Sequence, residues 1–479
     1  MSEASPTRPN FLLICCDQLA VQALPAMGNT DPVATPNIDR ILRRGARFNK
    51  AYTPCPLCQP ARAAFWTGRF PCQTNVRTND LKAQTDAPAE RVADTLPRLG
   101  ELFTKAGYRA WHAGKQHDAG ALRGFELAPT EELEVPTDCP DWPIDYDSRR
   151  DRFTTQAAVK FLDEQATDQS WFAAVDLHNP HEICQYVGAH AGPHESDALP
   201  RELPPVWPNL RIEDWDTRPA PVQFIAAAHR RQHQAVGWTD ANWQHYRAAY
   251  YYYVEMVDRE IGRVLDAFEK RADASNTIVI FMSDHGDAMG AHGLATKHTS
   301  FYDPTVRVPF AFAGPGIEGV DTALDEPLVS LLDLLPTLCD FAGIEAPEDL
   351  WGRSLKPWLE NSTHVTSPHD WVVSEWHTEW GHTVEPGRML FTGRYKYIVY
   401  REAAAEELYD LLNDPYETRN LVGDAGHAIT LNAHRAMLKR HCQRTGDDFF
   451  SLQPEVDPKY RQGTPGNFAY NGPCAPLES

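Results

Sequence analysis

The chain has no long hydrophobic run. Within its 479 residues, no window comes near the roughly 18 uninterrupted apolar residues that cross a bilayer. The apolar segment NFLLICC, close to the start, is ended by Asp17. The sequence therefore predicts no membrane partner, and because no secretory signal is apparent, we expect an unprocessed chain that remains in the cytoplasm.

Basic residues are also fewer than acidic residues. Lysine and arginine number 45 against 66 aspartate and glutamate residues, which gives a formal net charge of -21. Because a protein that binds nucleic acid needs concentrated positive charge to meet the phosphates, this composition excludes nucleic acid as a partner. A small anionic substrate would need a local pocket of positive charge that opposes the field of the whole chain.

Paired cysteines are nearly absent. The ten cysteines are scattered, which predicts reduced and mostly buried thiols rather than a disulfide framework. Cys55 and Cys58 have Cys-x-x-Cys spacing, but the surrounding pattern does not suit a thioredoxin-like redox pair, and a zinc ribbon would need a second pair. The three residues between Cys58 and Arg62 are too few for a cysteine phosphatase loop. We expect Cys55 to be an ordinary buried thiol.

Predicted strands and helices alternate along most of the chain. Apolar runs such as NFLLICCD and NTIVIFMS alternate with amphipathic segments such as TTQAAVKFLDEQ and YYYYVEMVDREIGRVLDAFEKR. This alternation predicts an α/β fold in which helices flank a mainly parallel sheet. Ligands bind at the carboxyl ends of the strands in such sheets, and polar residues collect at those ends here.

Two segments break the alternation. Residues 186–245 are rich in Pro, Trp, His and Asp and only weakly periodic, which predicts a lid-like insertion over the site. Beyond residue 365, short β-like runs such as WVVSEWH, GRMLF and YKYIVY are separated by turns. We therefore predict a catalytic domain over residues 1–365 and a smaller α+β subdomain with an antiparallel sheet over residues 366–479.

Two carboxylates and an imidazole follow two of the predicted strands. Asp17 ends one strand, and Asp284 and His285 directly follow another. If these strand ends converge, the three side chains can bind one divalent cation, for which carboxylate oxygens are preferred ligands. Capping of a following helix is the alternative for each aspartate taken alone.

A second group of polar residues lies in loops bounded by Gly and Pro. Lys115, His117, His181 and Lys297 could surround a tetrahedral oxyanion and donate to its oxygens and to a leaving group. Each of them alone would also suit an exposed surface. His178 and His181 in HNPHE are alternatively zinc ligands, although no matching Cys/His set has convincing spacing nearby in the sequence.

The stretch CQPAR at residues 58–62, followed by TGR at 67–69, resembles the signature of the type I sulfatases. These are the formylglycine-dependent hydrolases of the alkaline phosphatase superfamily. Further segments resemble the family in the family's order: LLICCDQ, TPNIDRI, GYRAWHAGKQH, HNPHE, SDHGD, GLATKHTSFYDPTVRVPF, GRYKYIVY and ELYDLLNDPYETRNL. The resemblance covers nearly the whole chain and implies an alkaline phosphatase-like fold.

The resemblance also implies a modified nucleophile and a metal. A maturation enzyme would convert Cys58 into Cα-formylglycine, whose hydrate supplies the oxygen that attacks a sulfate monoester. One divalent cation would be held by the formylglycine, Asp17, Gln18, Asp284 and His285. The remaining implied roles are fixation of the hydrate by Arg62, sulfate binding by Lys115 and Lys297, proton transfer by His117 and His181, and a substrate contact by Asn79.

A gem-diol suits the cleavage of a sulfate ester. Anionic oxygens shield the sulfur, so a cation and lysines must neutralise charge before a nucleophile can approach. A sulfated serine would need water to attack sulfur again. A sulfated gem-diol instead loses a proton from its second hydroxyl and expels sulfate by C–O cleavage, which regenerates the aldehyde.

The pair Asp17-Gln18 replaces the Asp-Asp pair of many family members. The loss of one negative ligand makes the site less anionic, which weakens the case for Ca²⁺ and favours Mn²⁺ or Mg²⁺. Ca²⁺ stays our first expectation, with Mn²⁺ and Mg²⁺ as alternatives. The same pair occurs in the choline sulfatase and phosphonate monoester hydrolase branches. Hydrolysis of choline sulfate, or of a phosphonate monoester or phosphodiester, is therefore an alternative function, and a non-catalytic binding protein that is never matured is another.

We expect the substrate to be a small sulfated saccharide. Aromatic and polar residues of the insertion and of the segment SEWHTEWGHTVEPGR suit a sugar ring, although such aromatics also serve to pack an insertion onto a core. The candidate contacts to sugar hydroxyl and acid groups are His178, His377, Glu379, His382 and Arg388. The sequence leaves open whether the chain forms a homo-oligomer.

Overall fold

A large, mostly parallel sheet of eight strands carries the fold. The computed structural model describes residues 8–79, 91–129, 149–190, 192, 202–211, 218–219, 222, 235–297, 300–361, 363, 366–377, 386–401 and 405–451. The eight strands are β1 (Asn10–Asp17), β2 (Ala46–Tyr52), β3 (Arg109–Gly114), β4 (Glu126–Leu127), β5 (Trp171–Pro180), β6 (Thr277–Ser283), β7 (Phe310–Ala313) and β8 (Thr322–Ser330). The predicted α/β fold is confirmed.

The strand order β4-β3-β5-β1-β6-β7-β2-β8 places β1 at the middle of the sheet. Strand β7 runs antiparallel to both of its neighbours, and the other neighbouring pairs are parallel. Every residue of β1 and β6 is buried. A strand that is covered on both faces needs no polar side, which explains why these two sequences are almost continuously apolar.

Helices cover both faces of this sheet. The helices in the described ranges are α1 (Pro36–Leu42), α2 (Cys58–Thr67), α3 (Pro71–Thr74), α4 (Leu99–Lys105), α5 (Arg149–Glu164), α6 (Ile183–Ala189), α7 (Asp240–Phe268), α8 (Asp303–Val306), α9 (Leu334–Ala342), α10 (Lys356–Glu360) and α11 (Ala428–Thr445), of which α11 packs in the C-terminal part instead. Apolar residues of α1, α5 and α7 form one core with the sheet, and those of α2, α4 and α9 form a second. None of the helices in the described ranges is long and apolar enough to cross a membrane.

A separate antiparallel sheet lies in the C-terminal part, as predicted. It consists of β9 (Val372–Trp376), β10 (Gly387–Phe391), β11 (Tyr395–Tyr400) and β12 (Glu406–Asp410) in the order β12-β11-β10-β9. The backbone N–H of Glu375 donates to the carbonyl of Pro54 at 2.8 Å. The second sheet therefore supports the loop that leads into α2.

The domain boundary near residue 365 and the lid role of residues 186–245 stay predictions. Half of that insertion, mainly within residues 191–234, lies outside the described residues. Its last part is helical rather than irregular, because α7 begins at Asp240. Thr239 caps this helix by accepting a hydrogen bond from the backbone N–H of Asn242.

Candidate active site

Polar side chains meet at the carboxyl edge of the large sheet. The neighbouring strands β1 and β6 pair in register up to Cys16 and Ser283, so Asp17 and Asp284 emerge side by side. Strand β3 ends just before Lys115 and β5 just before His181. Because these strands are parallel, all four side chains arrive at one edge, where ligand sites of α/β folds form.

Four potential metal ligands lie within this group. One ligand atom from each of Asp17, Cys58, Asp284 and His285 lies within 4.8 Å of the others, and all four residues are buried. Burial and the charge of Asp17 raise the pKa of Asp284 to about 6. A divalent cation would reduce this repulsion between buried carboxylates, and the two carboxylates are ligands that suit a hard ion. The residues therefore fit the metal that the sequence resemblance implies.

Cys58 lies at the centre of a ring of cationic groups. Its Sγ atom is 2.8 Å from Nζ of Lys297, 3.2 Å from Nε2 of His285 and 3.8 Å from Nζ of Lys115. Burial would raise the pKa of this thiol, but the charges of Lys115, Lys297 and His285 outweigh burial and bring the pKa well below its ordinary value. The side chains of His117 and His181 also hydrogen-bond to the Cys58 sulfur.

The position of Cys58 follows from the local sequence. It is the first residue of α2, whose ten residues are all buried and whose end is marked by Gly68 in a left-handed conformation, φ 67°. Pro60 is tolerated in the first turn because the N–H groups there have no partner inside the helix. The N-terminal end of a helix favours negative charge, so α2 adds to the electrostatic field of the lysines.

Arg62 lies one helical turn after Cys58 and points to the same side. Its guanidinium contacts Asp284 at 3.0 Å, Asp176 at 2.8 Å and Asp17 at 3.3 Å, with all partners fully buried. Arg62 thus holds the carboxylates of β1 and of the β6 end in place. Asp176 is held in turn by Nε2 of His112 at 2.7 Å.

Asp151 anchors the turn that carries His178 and His181. It accepts hydrogen bonds from the backbone N–H groups of His178 and Asn179 at 2.5 and 3.0 Å, and from the Asn179 amide at 2.7 Å. Burial and nearby lysines lower the pKa of His181 well below its usual value, and burial with Lys115 lowers that of His178 to about 3. Both imidazoles are therefore neutral near pH 7.

Sequence reasoning missed Asp151, Asp176 and His112. A single aspartate inside the apolar strand WFAAVDLHNP is the one signal that could have drawn attention to Asp176, because a buried charge needs a partner. Asn79 was predicted, and its Oδ1 accepts the backbone N–H of Gln59 at 3.0 Å. The structure thus places Asn79 next to the start of α2.

His377 and Arg388 lie in a different cluster. Arg388 donates to both carboxylate oxygens of Asp447, at 2.7 and 2.9 Å, and to the carbonyls of Trp376 and Gly387. It is 1% exposed, and His377 contacts Glu375 at 3.1 Å. The predicted substrate contact by Arg388 conflicts with this geometry, because its donors are already used inside the protein. Glu379 and His382 lie outside the described residues.

A second set of potential metal ligands, Cys72, Glu375 and Asp447, belongs to the same cluster. The guanidinium of Arg388 is paired with Asp447 at 2.7 Å and also lies within the electrostatic influence of Glu375. The thiol of Cys72 donates to Glu375 at 3.2 Å. This cluster connects β9, β10 and the end of α11, and the contacts described hold these elements together.

A buried group of carboxylates, imidazoles and lysines at the carboxyl edge of a mostly parallel sheet is the arrangement of alkaline phosphatase-like hydrolases. The sulfatase family profile matches residues 9–344, and that of the C-terminal part of N-sulphoglucosamine sulphohydrolase matches residues 290–444. The chain belongs to the sulfatase family and is a sulfatase enzyme.

Several relatives resemble the chain over almost its full length. It is 43% identical to a Delta 4,5-hexuronate-2-O-sulfatase of Bacteroides thetaiotaomicron, over 98% of this chain and 96% of that protein. A choline-sulfatase of Rhizobium meliloti is 30% identical, over 91% and 87%. A solved structure of a 2-O GAG sulfatase is 42% identical, with a TM-score of 0.89 over 98% and 99% of the two chains. The hexuronate 2-O-sulfatase and the 2-O GAG sulfatase support a carbohydrate sulfate ester as the class of substrate.

Proposed function

We propose that the enzyme cleaves a carbohydrate sulfate ester with a formylglycine at position 58 and one divalent cation. The observation that carries this proposal is the convergence of two lysines and three histidines on the Cys58 sulfur. An ordinary structural thiol has no use for so many hydrogen-bonding and cationic groups. A position where an oxygen nucleophile and a sulfate group must be bound together does need them.

The cation would be held by Asp17, Asp284, His285, the oxygen of Gln18 and the modified residue 58. It would neutralise part of the charge of the sulfate group, and Ca²⁺ is the first expectation, with Mn²⁺ and Mg²⁺ as alternatives. Buried carboxylates that repel each other support this assignment, because the pKa of Asp284 is raised by burial and by Asp17.

Other residues of the site would bind the sulfate group, transfer protons and position the metal ligands. Lys297 and Lys115 are placed to bind sulfate oxygens next to residue 58. The neutral imidazole of His181 is able to accept a proton, and the partly exposed His117, which also hydrogen-bonds to residue 58, would supply a proton to the leaving group. Arg62 would keep the carboxylates and the start of α2 in position.

Formylglycine formation requires a maturation enzyme as a partner. The hydrated aldehyde would supply the attacking hydroxyl and, once sulfated, would release sulfate through its second hydroxyl without another attack at sulfur. An oxygen would take the place of the Cys58 Sγ atom in the modified residue. Its contact of 2.8 Å with Lys297 is the distance expected for a charge-assisted hydrogen bond to oxygen.

The substrate we propose is the 2-O-sulfate ester of an unsaturated hexuronate. Support comes from the relative with that specificity, which matches 98% of this chain at 43% identity. His178 would contact the sugar, because its Nδ1 is buried without a hydrogen-bond partner among the described residues. A neutral imidazole suits a hydroxyl group better than a carboxylate.

Turnover of a panel of esters tests this proposal. The matured enzyme should release sulfate from a 2-O-sulfated unsaturated uronic acid with a much higher kcat/KM than from nitrophenyl sulfate or choline sulfate. A 6-O-sulfated glucosamine is a matched control, since it is also a sulfate ester of a sugar hydroxyl but carries the sulfate at another position of a different sugar. Faster hydrolysis of a phosphonate monoester than of every sulfate ester would overturn the proposed function.

A further inference from the structure

We propose that Asp287 is a positioning residue that fixes which end of the Gln18 amide faces the metal. This inference rests on the proposed function, in which Gln18 supplies an oxygen ligand. The amide nitrogen of Gln18 donates to Oδ2 of Asp287 at 2.7 Å, and both side chains are fully buried. An amide has one oxygen end and one nitrogen end, so a partner that accepts from the nitrogen leaves the oxygen for the metal.

The carboxylate of Asp287 can act only as an acceptor in this network. Its Oδ1 receives the hydroxyl proton of Tyr246 at 2.8 Å and the backbone N–H of Met289 at 2.7 Å. The direction of the Tyr246 proton is fixed, because the Tyr246 oxygen accepts the backbone N–H of Thr296 at 2.7 Å. With three donors directed at it, Asp287 selects the nitrogen end of the Gln18 amide.

The main chain of Gln18 is held as firmly as its side chain. Gln18 has φ 69°, in the left-handed region, where residues other than glycine need external support. Its N–H donates to Asp284 at 3.1 Å, and its carbonyl accepts the Tyr250 hydroxyl at 2.6 Å. The Cys184 thiol at 3.6 Å is the one hydrogen-bond contact of the amide oxygen in the described part of the chain. That oxygen is therefore available as a ligand.

Asp287 also reaches the sulfate-binding side of the site. The chain of hydrogen bonds through Tyr246 ends at Thr296, and the next residue is Lys297, whose Nζ contacts Cys58. One carboxylate thus supports a metal ligand on one side and the loop of a lysine on the other. Asp287 places a negative charge one hydrogen bond beyond the Gln18 amide.

The substitution Asp287→Asn should reverse the orientation of the Gln18 amide. The asparagine oxygen would still accept from Tyr246 and Met289, so its NH₂ group would face Gln18 and force the amide to turn its nitrogen toward the metal. Removal of such an outer partner typically costs about 10- to 100-fold in metal affinity. Isothermal titration of the full-length chain with Ca²⁺ should show a loss in that range, and thermal unfolding without metal reports whether the variant is folded.

A double-mutant cycle with Gln18→Leu makes the test specific. Gln18→Leu removes the amide and should weaken Ca²⁺ binding, and Asp287→Asn in that background should cause no further loss, because both act through one amide. The control is Asp258→Asn. Asp258 is also buried and accepts N–H groups from Asn37 and Ile38, so its loss should lower stability and leave Ca²⁺ affinity unchanged.

The outcomes separate this inference from the proposed function. Wild-type affinity in the Asp287→Asn variant, or additive losses in the cycle, would overturn the positioning role while leaving the metal site intact. If Asp287→Asn does not fold, the Tyr246→Phe variant provides the test. This variant keeps the contact between Asp287 and Gln18, so it should retain Ca²⁺ affinity while raising KM for the sulfate ester. A Tyr246→Phe variant that loses Ca²⁺ affinity would contradict the proposal, and a wild-type chain that binds no cation would overturn both the proposal and the metal of the proposed function.

Discussion

At the scale of single residues, Cys58 differs from its neighbours in its surroundings. Burial raises the pKa of the Cys55 thiol, and the charge of Glu375 adds to that effect. The pKa of Cys58 is lowered instead, because the cationic groups around it outweigh burial. Two cysteines three positions apart therefore have opposite chemistry. We expect only Cys58 to serve in the reaction.

Replacing Cys58 by serine tests the gem-diol. A serine can be sulfated once, but it has no second hydroxyl to expel the sulfate, so the variant should release about one equivalent of sugar per enzyme and then stall. Rapid-mix measurement of the released sugar gives the size of this burst. Sustained turnover at the wild-type rate would show that the second hydroxyl is not needed.

Replacing Lys297 by methionine removes the cation closest to residue 58, at 2.8 Å from its sulfur. Loss of one donor that stabilises developing charge typically costs about 100- to 1000-fold in rate, and we expect a loss of that size in kcat/KM for the sulfated sugar. The exposed Lys105 at the end of α4 provides the control: Lys105→Met also loses one charge and should retain wild-type kinetics.

At the scale of elements, the strands that deliver the site were predictable. Asp17 and Asp284 follow apolar runs that can only be buried strands, and the parallel order of β1 and β6 brings their ends together. Asp287 is different, because its role depends on Gln18 and Tyr246, which lie far away in sequence. No local pattern reports such a contact, so sequence reasoning did not find it.

Arg388 lies in a setting that its own segment of sequence does not reveal. Its polar segment suggested a substrate contact, but the antiparallel pairing of β9 with β10 sets Arg388 opposite Glu375. Asp447, just beyond α11, then completes the pair. A polar sequence alone does not distinguish an exposed arginine from one that is buried with its own counter-charge.

The pair of Arg388 and Asp447 should make stability depend on acid pH. Burial would raise the pKa of Asp447, but Arg388 lowers it to about 2. Since this folded-state pKa is below the unfolded value, the carboxylate contributes about 2 to 3 kcal/mol above pH 4. That contribution is lost as the pH falls from about 4 to about 2. Urea unfolding of wild type and Asp447→Asn should therefore differ at pH 7 and converge near pH 2.

The partly exposed Asp424 is the control for this measurement. Its pKa is also lowered, by the backbone N–H of Gly426 and by nearby positive charges, but its side chain is 29% exposed, so solvent screens these charges. Asp424→Asn should follow the wild-type curve at every pH, because exposed pairs contribute little to stability. A constant difference between Asp447→Asn and wild type from pH 7 to pH 2 would contradict the assigned ion pair.

At the scale of the whole molecule, the fold brings positive charge into an acidic protein. The net charge is -21, yet the carboxyl edge of the sheet concentrates lysines and histidines around one position. Burial makes this local field strong, because water and salt screen it poorly there. The family profile over residues 9–344 and the two sheets confirm the family and the fold class predicted from the sequence. The domain boundary near residue 365 and the lid role of residues 186–245 stay predictions.

Metal removal should lower the stability of the whole molecule. A cation that binds only the folded chain stabilises it by about 4 kcal/mol at a thousandfold excess over Kd. Treatment with a chelator should therefore lower Tm by several degrees, and Ca²⁺ or Mn²⁺ should restore it. The variant Asp17→Asn should show no such response. Equal Tm values for wild type with and without cation would argue against a metal between these carboxylates.

The mass of the tryptic peptide Ala51–Arg62 tests the central claim most directly. The protein is produced together with a formylglycine-generating enzyme, checked for sulfate release and then treated with a thiol alkylating reagent. We predict that Cys55 carries the alkyl group, while residue 58 carries none and is lighter than cysteine by about 18 Da, as an aldehyde in place of a thiol requires. A peptide with two alkylated cysteines, obtained from protein that hydrolyses sulfate esters, would contradict the account.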